Sequence, residues 1–155
     1  MSETALLLRP AVRADIVRIV AMLADDVLGA AREDTSPEGL ALYEAAFERI
    51  AATNGAVRLF VAERDGETVG CFLLSLTPGL SQKGMVRAII EEVRIDAAHR
   101  GRGLGAAMIR LAIEEARRSG ASLVQLTSNK QRRDAHRFYE QLGFERSHEG
   151  FKLKL

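Results

Sequence analysis

Apolar residues in the first third of the chain recur at two spacings, one typical of a strand and the other of helices. Residues 6–9 form a short apolar run that a proline ends, which predicts a strand. Apolar residues then recur at helical steps over residues 14–26 and again over 36–52. Ser36 followed by Pro37 favours the start of the second helix, because it offers a capping hydroxyl and a proline at the first helical position.

The middle of the chain changes to a strand pattern. Residues 58–63 and 68–76 are rich in apolar residues and flank Asp65-Gly66, a pair typical of hairpin turns. Residues 84–95, rich in β-branched side chains, predict a further strand. Three consecutive strands therefore follow the two helices.

The last third of the chain alternates helices and strands. Residues 103–119 predict a helix that is apolar outside one polar stripe, and so wide an apolar face indicates burial against a sheet. A strand over 122–127 and a short helix that Asp134 can cap come next. Two closing strands are predicted over 144–147 and 151–155.

The predicted order β-α-α-β-β-β-α-β-α-β-β describes an α/β (α+β) fold, a mixed sheet with helices packed on it. The chain has no internal repeat, low-complexity tract or linker. We therefore expect residues 1–155 to form a single domain.

Composition narrows the class of protein. The chain is 47% apolar and 28% charged, as globular domains are, and no apolar run approaches the roughly 20 residues that span a bilayer. Residues 1–4 lack the basic residues that open a secretory signal, and Cys71, the single cysteine, excludes an internal disulfide or a cysteine-based zinc cluster. We expect a soluble cytoplasmic protein with no metal, no membrane partner and a buried structural thiol at Cys71.

Charge is unevenly distributed along the chain. Residues 1–55 hold nine acidic and five basic side chains, whereas residues 56–155 hold twelve acidic and seventeen basic ones. The second part therefore suits an anionic ligand and the first a cationic one, unless the charges only solvate helix faces. The net charge of +1, two tyrosines and no tryptophan argue against nucleic-acid binding.

The most informative segment lies between the strand over 84–95 and the long helix. Backbone N–H groups at the start of a helix lack internal partners and, with the helix dipole, attract an anion. Glycines there let phosphate oxygens approach, and arginines add positive charge. The segment predicts a pyrophosphate site made of Arg100, Gly101, Arg102, Gly103, Leu104 and Gly105.

Two other phosphate motifs do not fit this turn. It lacks the Gly-Lys-Ser/Thr of a P-loop, and no βαβ unit places an acid about twenty residues after the glycines, as dinucleotide sites require. A tight turn without a ligand remains the alternative.

Two motifs carry a resemblance to a known family. Arg100, Gly103 and Gly105 match the Arg/Gln-x-x-Gly-x-Gly/Ala signature of the GNAT superfamily of acyl-CoA N-acyltransferases, and residues 135–144 resemble its FYekLGF segment. The order of elements is similar over nearly the whole chain. The resemblance implies a GNAT-like, mostly antiparallel sheet of about six or seven strands flanked by about four helices. It also implies acetyl-CoA as co-substrate, and homodimers are frequent in that family.

The resemblance implies roles for residues outside the turn. The backbone of Val93, Arg94 and Ile95 would pair with the pantetheine arm of the cofactor, as an added strand would. Tyr139 would protonate the departing CoA thiolate, with a core aromatic as the alternative role. Glu91 or Glu92 would be the base. Because side chains alternate along a strand, only one of the two would normally face the cleft. The resemblance also implies a bulge at this point, which interrupts the alternation. Glu91 is the favoured candidate.

The chain departs from the family pattern before Tyr139. Many members carry an asparagine seven residues earlier that helps to hold the cofactor arm, and this chain has Arg132 there. Asn129, ten residues before the tyrosine, is a candidate to contact the cofactor. Arg132 is a candidate to contact its 3′-phosphate.

The resemblance predicts an N-acetyltransferase that acts by direct attack in a ternary complex on a primary amine of a small molecule or peptide. The alternative is a catalytically silent acyl-CoA sensor or an interaction module with the same fold. Acidic residues of the N-terminal helices and their linker could attract a cationic amine or could simply be solvated. They are Asp25, Asp26, Glu33, Asp34, Glu38, Glu44 and Glu48.

Overall fold

A computed structural model of the chain describes residues 5–155 and shows a five-stranded sheet with five α-helices and two short 3-10 helices. The strands are β1 (Leu7–Pro10), β2 (Val57–Arg64), β3 (Glu67–Pro78), β4 (Val86–Ile95) and β5 (Leu123–Gln125). The helices are α1 (Ile16–Ala24), α2 (Pro37–Ala51), α3 (Ser81–Gly84), α4 (Leu104–Arg118) and α5 (Arg133–Gln141). Residues 1–4, on which the expected absence of a secretory signal depends, lie outside the described residues.

The sheet runs in the order β1-β2-β3-β4-β5. Neighbouring strands are antiparallel as far as β4, whereas β5 runs parallel to β4. The parallel pairing joins only Arg87–Ile89 to Leu123–Gln125. Beyond Ile89, β4 continues to Ile95 paired with β3 alone among the described strands. A cleft therefore opens beside the carboxyl half of β4.

A β-bulge interrupts β4 at this cleft, as the resemblance implied. The step from Cys71 to Leu73 on β3 faces the longer step from Glu91 to Arg94 on β4, so β4 contains an extra residue. Glu92 lies there with a φ of 54°, in the left-handed region that is unfavourable for residues other than glycine. The bulge changes which side chains of β4 face each side of the sheet.

The core fills both faces of the sheet. On one face α4 packs its buried Met108 and Ile109 against Phe72, Leu74 and Ile90. On the other face α1 covers a smaller cluster of Ile19, Met22, Val61 and Cys71. Together these clusters fix α4 on one side of β4 and α1 on the other.

Cys71 is fully buried, as the sequence predicted. Burial, with a smaller contribution from the negative charge of Glu92, raises the pKa of the thiol to about 12. The thiol therefore stays protonated at neutral pH and does not act as a nucleophile.

The predicted closing strands over 144–147 and 151–155 are wrong for the described structure, in which these residues form no ladder. Phe144 packs against Tyr139, but Phe151 and Leu153 are 95% and 87% exposed, so their alternation meets no apolar surface. The sheet consequently has five strands, not six or seven. The α-helix that the sequence did not predict is α3. It is a single turn that contains residues in the left-handed conformation, and it is too short to show a periodic pattern.

Among residues 5–155 no helix combines the length and the apolar character that crossing a membrane requires.

Candidate active site

The turn between β4 and α4 has the geometry of an anion site. Gly101 and Gly103 have φ values of 75° and 74°, and α4 begins directly after Gly103. The first helical bond is donated by Ala107 to the Gly103 carbonyl at 3.1 Å. The amides of the preceding first turn, from Leu104 to Ala106, have no acceptor within the helix. The two glycines therefore turn the chain so that these amides face outward.

The two sequence motifs meet at this turn. Ile95, Arg100, Gly103 and Gly105 line a depression together with Phe138 of α5. A methyl group added at Gly105 would lie 3.5 Å from Phe138 Cζ, which is ordinary contact. The tertiary structure thus brings the glycine-rich turn and the FYekLGF-like segment to the walls of one site.

The two arginines of the turn differ in their surroundings. Arg100 donates to the Ile95 carbonyl at 3.0 Å and to the Asp25 carbonyl at 3.3 Å, so it links the turn to the end of α1. Arg102 is exposed, and no side-chain hydrogen bond involves it in the described structure. A ligand phosphate could therefore recruit Arg102 without breaking an existing contact.

The last residues of β4 pair with β3 along one edge and face the cleft along the other. Arg94 and Ile95 lie opposite Cys71 and Gly70 of β3. Val93 lies in the bulge, and its carbonyl accepts a hydrogen bond of 2.8 Å from the Arg94 side chain. The three residues predicted to contact the cofactor arm therefore lie beside the cleft, with one carbonyl already occupied.

The two candidate bases lie at the bulge. Glu91 and Glu92 are both exposed, yet the pKa of the Glu92 carboxyl is raised, first by desolvation and then by the negative charges of Glu91 and Glu33. Glu33 belongs to the linker between α1 and α2 and accepts a hydrogen bond of 2.9 Å from Tyr43 Oη. The linker thus brings a third acid to the cleft.

Tyr139 is half-buried on α5 between two aromatic rings. Its ring centroid lies 5.1 Å from that of Phe138 and 5.7 Å from that of Phe144, in edge contacts. Burial raises the pKa of the phenol, and the positive charges of Arg94 and Arg132 act in the opposite direction. The raised pKa means that the phenol holds its proton at neutral pH, and within the described residues the hydroxyl has no hydrogen-bond partner that would compete for this proton.

Asp26 is the residue of this site whose role sequence reasoning missed. It was one acid among seven, but its carboxylate lies 2.6 Å from Arg132 Nη2 and 3.6 Å from Arg94 Nη2, and it accepts from the Gly29 amide. Partial desolvation opposes ionisation, but these partners outweigh it and lower the pKa of Asp26 to about 2. No local sequence signal could have found these contacts, because more than sixty residues separate Asp26 from either arginine.

Asn129 accepts hydrogen bonds within its own loop. Its side-chain oxygen accepts from the Gln131 amide at 2.9 Å, and its carbonyl accepts from the Arg132 amide at 2.9 Å. The structure therefore shows Asn129 shaping the loop before α5. No group of three or more His, Cys, Asp or Glu residues in the described chain is arranged to hold a metal ion.

Comparison with known proteins places these features in a family. The sequence model of the acetyltransferase (GNAT) family matches residues 22–144. The aminoalkylphosphonate N-acetyltransferase of Salmonella typhimurium (strain LT2) is 38% identical over 95 residues, 61% of this chain and 61% of that protein. The glucosamine 6-phosphate N-acetyltransferase of Trypanosoma brucei brucei is 36% identical over 92 residues, 59% of this chain and 60% of that one.

One solved structure is similar to this chain over almost its whole length. A transcriptional regulator from Bacillus halodurans C-125 is 44% identical, with a TM-score of 0.91 over 97% of this chain and 100% of the other. The match spans about three fifths of the length of each of the two curated enzymes. The family match extends from α1 to Phe144 and so includes the bulge, the glycine-rich turn and Tyr139. This chain belongs to the acetyltransferase (GNAT) family.

Proposed function

We propose that this protein transfers the acetyl group of acetyl-CoA to a primary amine of a small molecule or peptide by direct attack in a ternary complex. The observation that carries the proposal is that three candidate groups surround the carboxyl half of β4: the glycine-rich turn follows the strand, Glu92 lies in its bulge, and the charge of Arg94 on the same strand acts on Tyr139. Family membership and the names of the two curated relatives support the same reaction.

The residues present fit acetyl-CoA. The outward-facing amides of α4 and the arginines of the turn suit a pyrophosphate, and the cleft edge of Val93, Arg94 and Ile95 suits an extended amide-containing arm. When bound, acetyl-CoA supplies the thioester carbonyl that the amine attacks. The Arg100–Gly105 turn would anchor the phosphates, and the end of β4 would align the arm toward the bulge.

Glu92 is the base in this proposal. An alkyl ammonium with a pKa near 10 must lose a proton before it can attack. The raised pKa of Glu92 makes its carboxylate a stronger proton acceptor than an ordinary surface glutamate. We therefore favour Glu92 for this role, whereas the sequence favoured Glu91.

Tyr139 is the acid in this proposal. Its hydroxyl donates a proton to the sulfur as the carbon–sulfur bond breaks. A phenol is protonated at neutral pH, and burial raises the pKa of Tyr139 further, so the residue is in the correct state before each turnover.

The amine would approach from the linker between α1 and α2, where Glu33 reaches toward Glu92. Asp34 is a weaker candidate for amine recognition, since its carboxylate accepts from the Ser36 amide at 2.9 Å just before α2. Both curated relatives are named for amines that carry a phosphonate or phosphate group. Aminoalkylphosphonates and amino sugar phosphates therefore belong in the first substrate screen, beside polyamines and peptides.

A second candidate function is an acyl-CoA-binding regulator without transferase activity. It is favoured by one observation, the description of the Bacillus halodurans protein as a transcriptional regulator. The exposed Glu92 with its raised pKa and the free Tyr139 hydroxyl favour the enzyme, because a sensor needs neither.

The first experiment is calorimetric titration of acetyl-CoA into the wild type, Arg102→Glu and Arg110→Glu. Arg110 is an exposed residue of α4 away from the turn and serves as the matched control. We expect the first substitution to weaken binding at least tenfold and the second to leave it unchanged. Equal affinity for all three proteins would mean that the turn does not hold the phosphates.

Catalysis is then measured by release of the CoA thiol over the amine panel, which the buried Cys71 does not obscure. Tyr139→Phe should reduce kcat about a hundredfold with little change in acetyl-CoA affinity, since acid catalysis is worth roughly 10²–10⁴ in rate. Tight binding of acetyl-CoA without turnover on any amine would favour the regulator.

A further inference from the structure

One carboxylate holds two guanidinium groups beside Tyr139. Asp26, at the end of α1, pairs with Arg132 at 2.6 Å and with Arg94 at 3.6 Å. The Asp26 and Arg94 side chains are largely shielded, with 20% and 16% exposed, whereas 35% of the Arg132 side chain is exposed. We call these three residues the Asp26 cluster. It connects α1, β4 and the start of α5.

The cluster carries an excess of positive charge. Two guanidiniums share one carboxylate, and Arg94 Nε is buried without a hydrogen-bond partner in the described structure. Arg58 Nε is also buried without a partner, in the ion pair of Arg58 with Glu115, so what sets the Asp26 cluster apart is that two guanidiniums face a single carboxylate. The arrangement suggests that the excess charge serves another group.

Arg94 acts on the Glu92 carboxylate, and both arginines act on the Tyr139 hydroxyl. Arg132 immediately precedes α5, and Tyr139 follows seven residues later, two turns along the same side of the helix. Arg94 and Arg132 are the two charged groups whose field acts on the phenol, and Phe138 and Phe144 pack around its ring.

We propose that Arg94 and Arg132, oriented by Asp26, are positioning residues that stabilise the Tyr139 phenolate as its proton passes to the departing sulfur. In this step the amine nitrogen bonds to the acetyl carbon while the carbon–sulfur bond breaks, and the sulfur takes the Oη proton. The phenolate then recovers the surplus proton of the new amide nitrogen. The proposal rests on the proposed function and gives Arg132 a role different from 3′-phosphate contact.

The direct test is an absorbance titration of the phenol. The chain has two tyrosines and no tryptophan, so Tyr43→Phe leaves Tyr139 as the only tyrosine. In this background we compare Arg132→Gln, Arg132→Lys and Arg137→Gln, with circular dichroism defining the pH range over which the fold persists. Arg137 is the control, since it is an exposed α5 arginine paired with Asp134.

We expect the titration midpoint to move to higher pH in Arg132→Gln and to stay unchanged in Arg132→Lys and Arg137→Gln. An unchanged midpoint in Arg132→Gln overturns the proposal. This measurement needs neither acetyl-CoA nor an amine, so it remains decisive for the electrostatic role even if the proposed transferase activity fails.

Steady-state kinetics give an independent result. Arg132→Gln should lower kcat about tenfold with an unchanged KM for acetyl-CoA, and Arg132→Lys should recover most of the rate. A raised KM for acetyl-CoA at unchanged kcat would instead assign Arg132 to cofactor binding and overturn the proposal. Absence of turnover in the wild type would contradict the proposed function, with the titration then deciding the electrostatic part separately.

Discussion

At the scale of single residues, the two acids of the bulge differ in backbone conformation. Glu92 has a left-handed conformation that costs about 1 kcal/mol or more for a residue with a Cβ. Its carboxylate is also crowded by Glu91 and Glu33, which opposes ionisation. Both features disfavour folding, and such residues are concentrated at functional sites.

The first prediction concerns the pH dependence of acetyl transfer. Because the pKa of Glu92 is raised, kcat/KM should fall on acidification at a pH above the ordinary glutamate range. Glu92→Gln should remove this limb and lower kcat by about tenfold to a hundredfold. Glu91→Gln is the control and should change kcat less than threefold. The reverse order of effects would return the role of base to Glu91.

The same substitution should stabilise the fold at neutral pH. When the pKa of a carboxyl is higher in the folded than in the unfolded state, the protein is most stable below the unfolded-state pKa. This stability is lost as the pH rises through the folded-state pKa. Glu92→Gln should therefore gain stability over the wild type as the pH increases from 4 to 7, measured by urea unfolding. A constant difference across this range would show that Glu92 is not desolvated.

At the scale of elements, two glycines of the turn between β4 and α4 differ in backbone conformation and in surroundings. Gly103 has a left-handed φ, and an added Cβ there would meet nothing within 4 Å. Gly105 lies within α4, where an added methyl would make ordinary contact with Phe138. The backbone conformation therefore requires glycine at position 103, whereas the structure can accommodate alanine at position 105.

A matched pair of alanine substitutions tests this difference between Gly103 and Gly105. Gly103→Ala should lower the free energy of unfolding by about 1 kcal/mol and weaken acetyl-CoA binding, because the α4 amides lose their direction. Gly105→Ala should retain both properties, since alanine favours a helix interior and also occurs at this position of the family signature. Thermal unfolding and calorimetry measure the two effects. Equal destabilisation by both would contradict the assignment.

The Asp26 cluster holds three elements together, and its pH dependence follows from the lowered pKa of Asp26. A carboxyl whose folded pKa is depressed contributes stability above its unfolded value, near 3.9, and loses it as the pH falls toward about 2. Asp26→Asn should lower the free energy of unfolding by roughly 1 to 2 kcal/mol at pH 7. The difference should diminish below pH 4.

The control for this prediction is Asp25→Asn. Asp25 is about half exposed, and its carboxylate lies 3.4 Å from Arg100. An exposed pair of this kind contributes little, so the substitution should be nearly neutral in urea unfolding. If Asp25→Asn were as costly as Asp26→Asn, the end of α1 would matter more than the cluster itself.

At the scale of the whole molecule, the divergence of β5 from β4 creates the cleft in which turn, bulge and α5 meet. A ligand that fills it binds only the folded chain and must stabilise that state by mass action. Acetyl-CoA at a hundred times its Kd should raise the free energy of unfolding by about 2.7 kcal/mol. With a tenfold higher Kd, Arg102→Glu at the same concentration should gain only about 1.4 kcal/mol, whereas its stability without ligand should match the wild type. A shift of equal size in both proteins would place the ligand elsewhere.

Local chemistry in the sequence determined most of the elements and the turn. The periodicity of residues 36–52 and the Ser36-Pro37 start predicted α2, where Ser36 accepts from the Gly39 amide as its N-cap. The glycines of 100–105 predicted the turn and the helix start that follows it, because both depend only on neighbouring residues, whereas anion binding there remains a prediction. The homodimer remains a prediction.

Only the tertiary structure decided the rest, because it depends on contacts between residues far apart in the chain. The alternation of residues 151–155 did not produce a strand, since a strand needs a partner that its own sequence does not specify. The extra residue at Glu92 is defined only by pairing with β3, and Asp26 meets Arg94 and Arg132 only when α1, β4 and α5 pack together. The sequence by itself therefore determined which chemical groups the site contains, and the fold decided which of them act on one another.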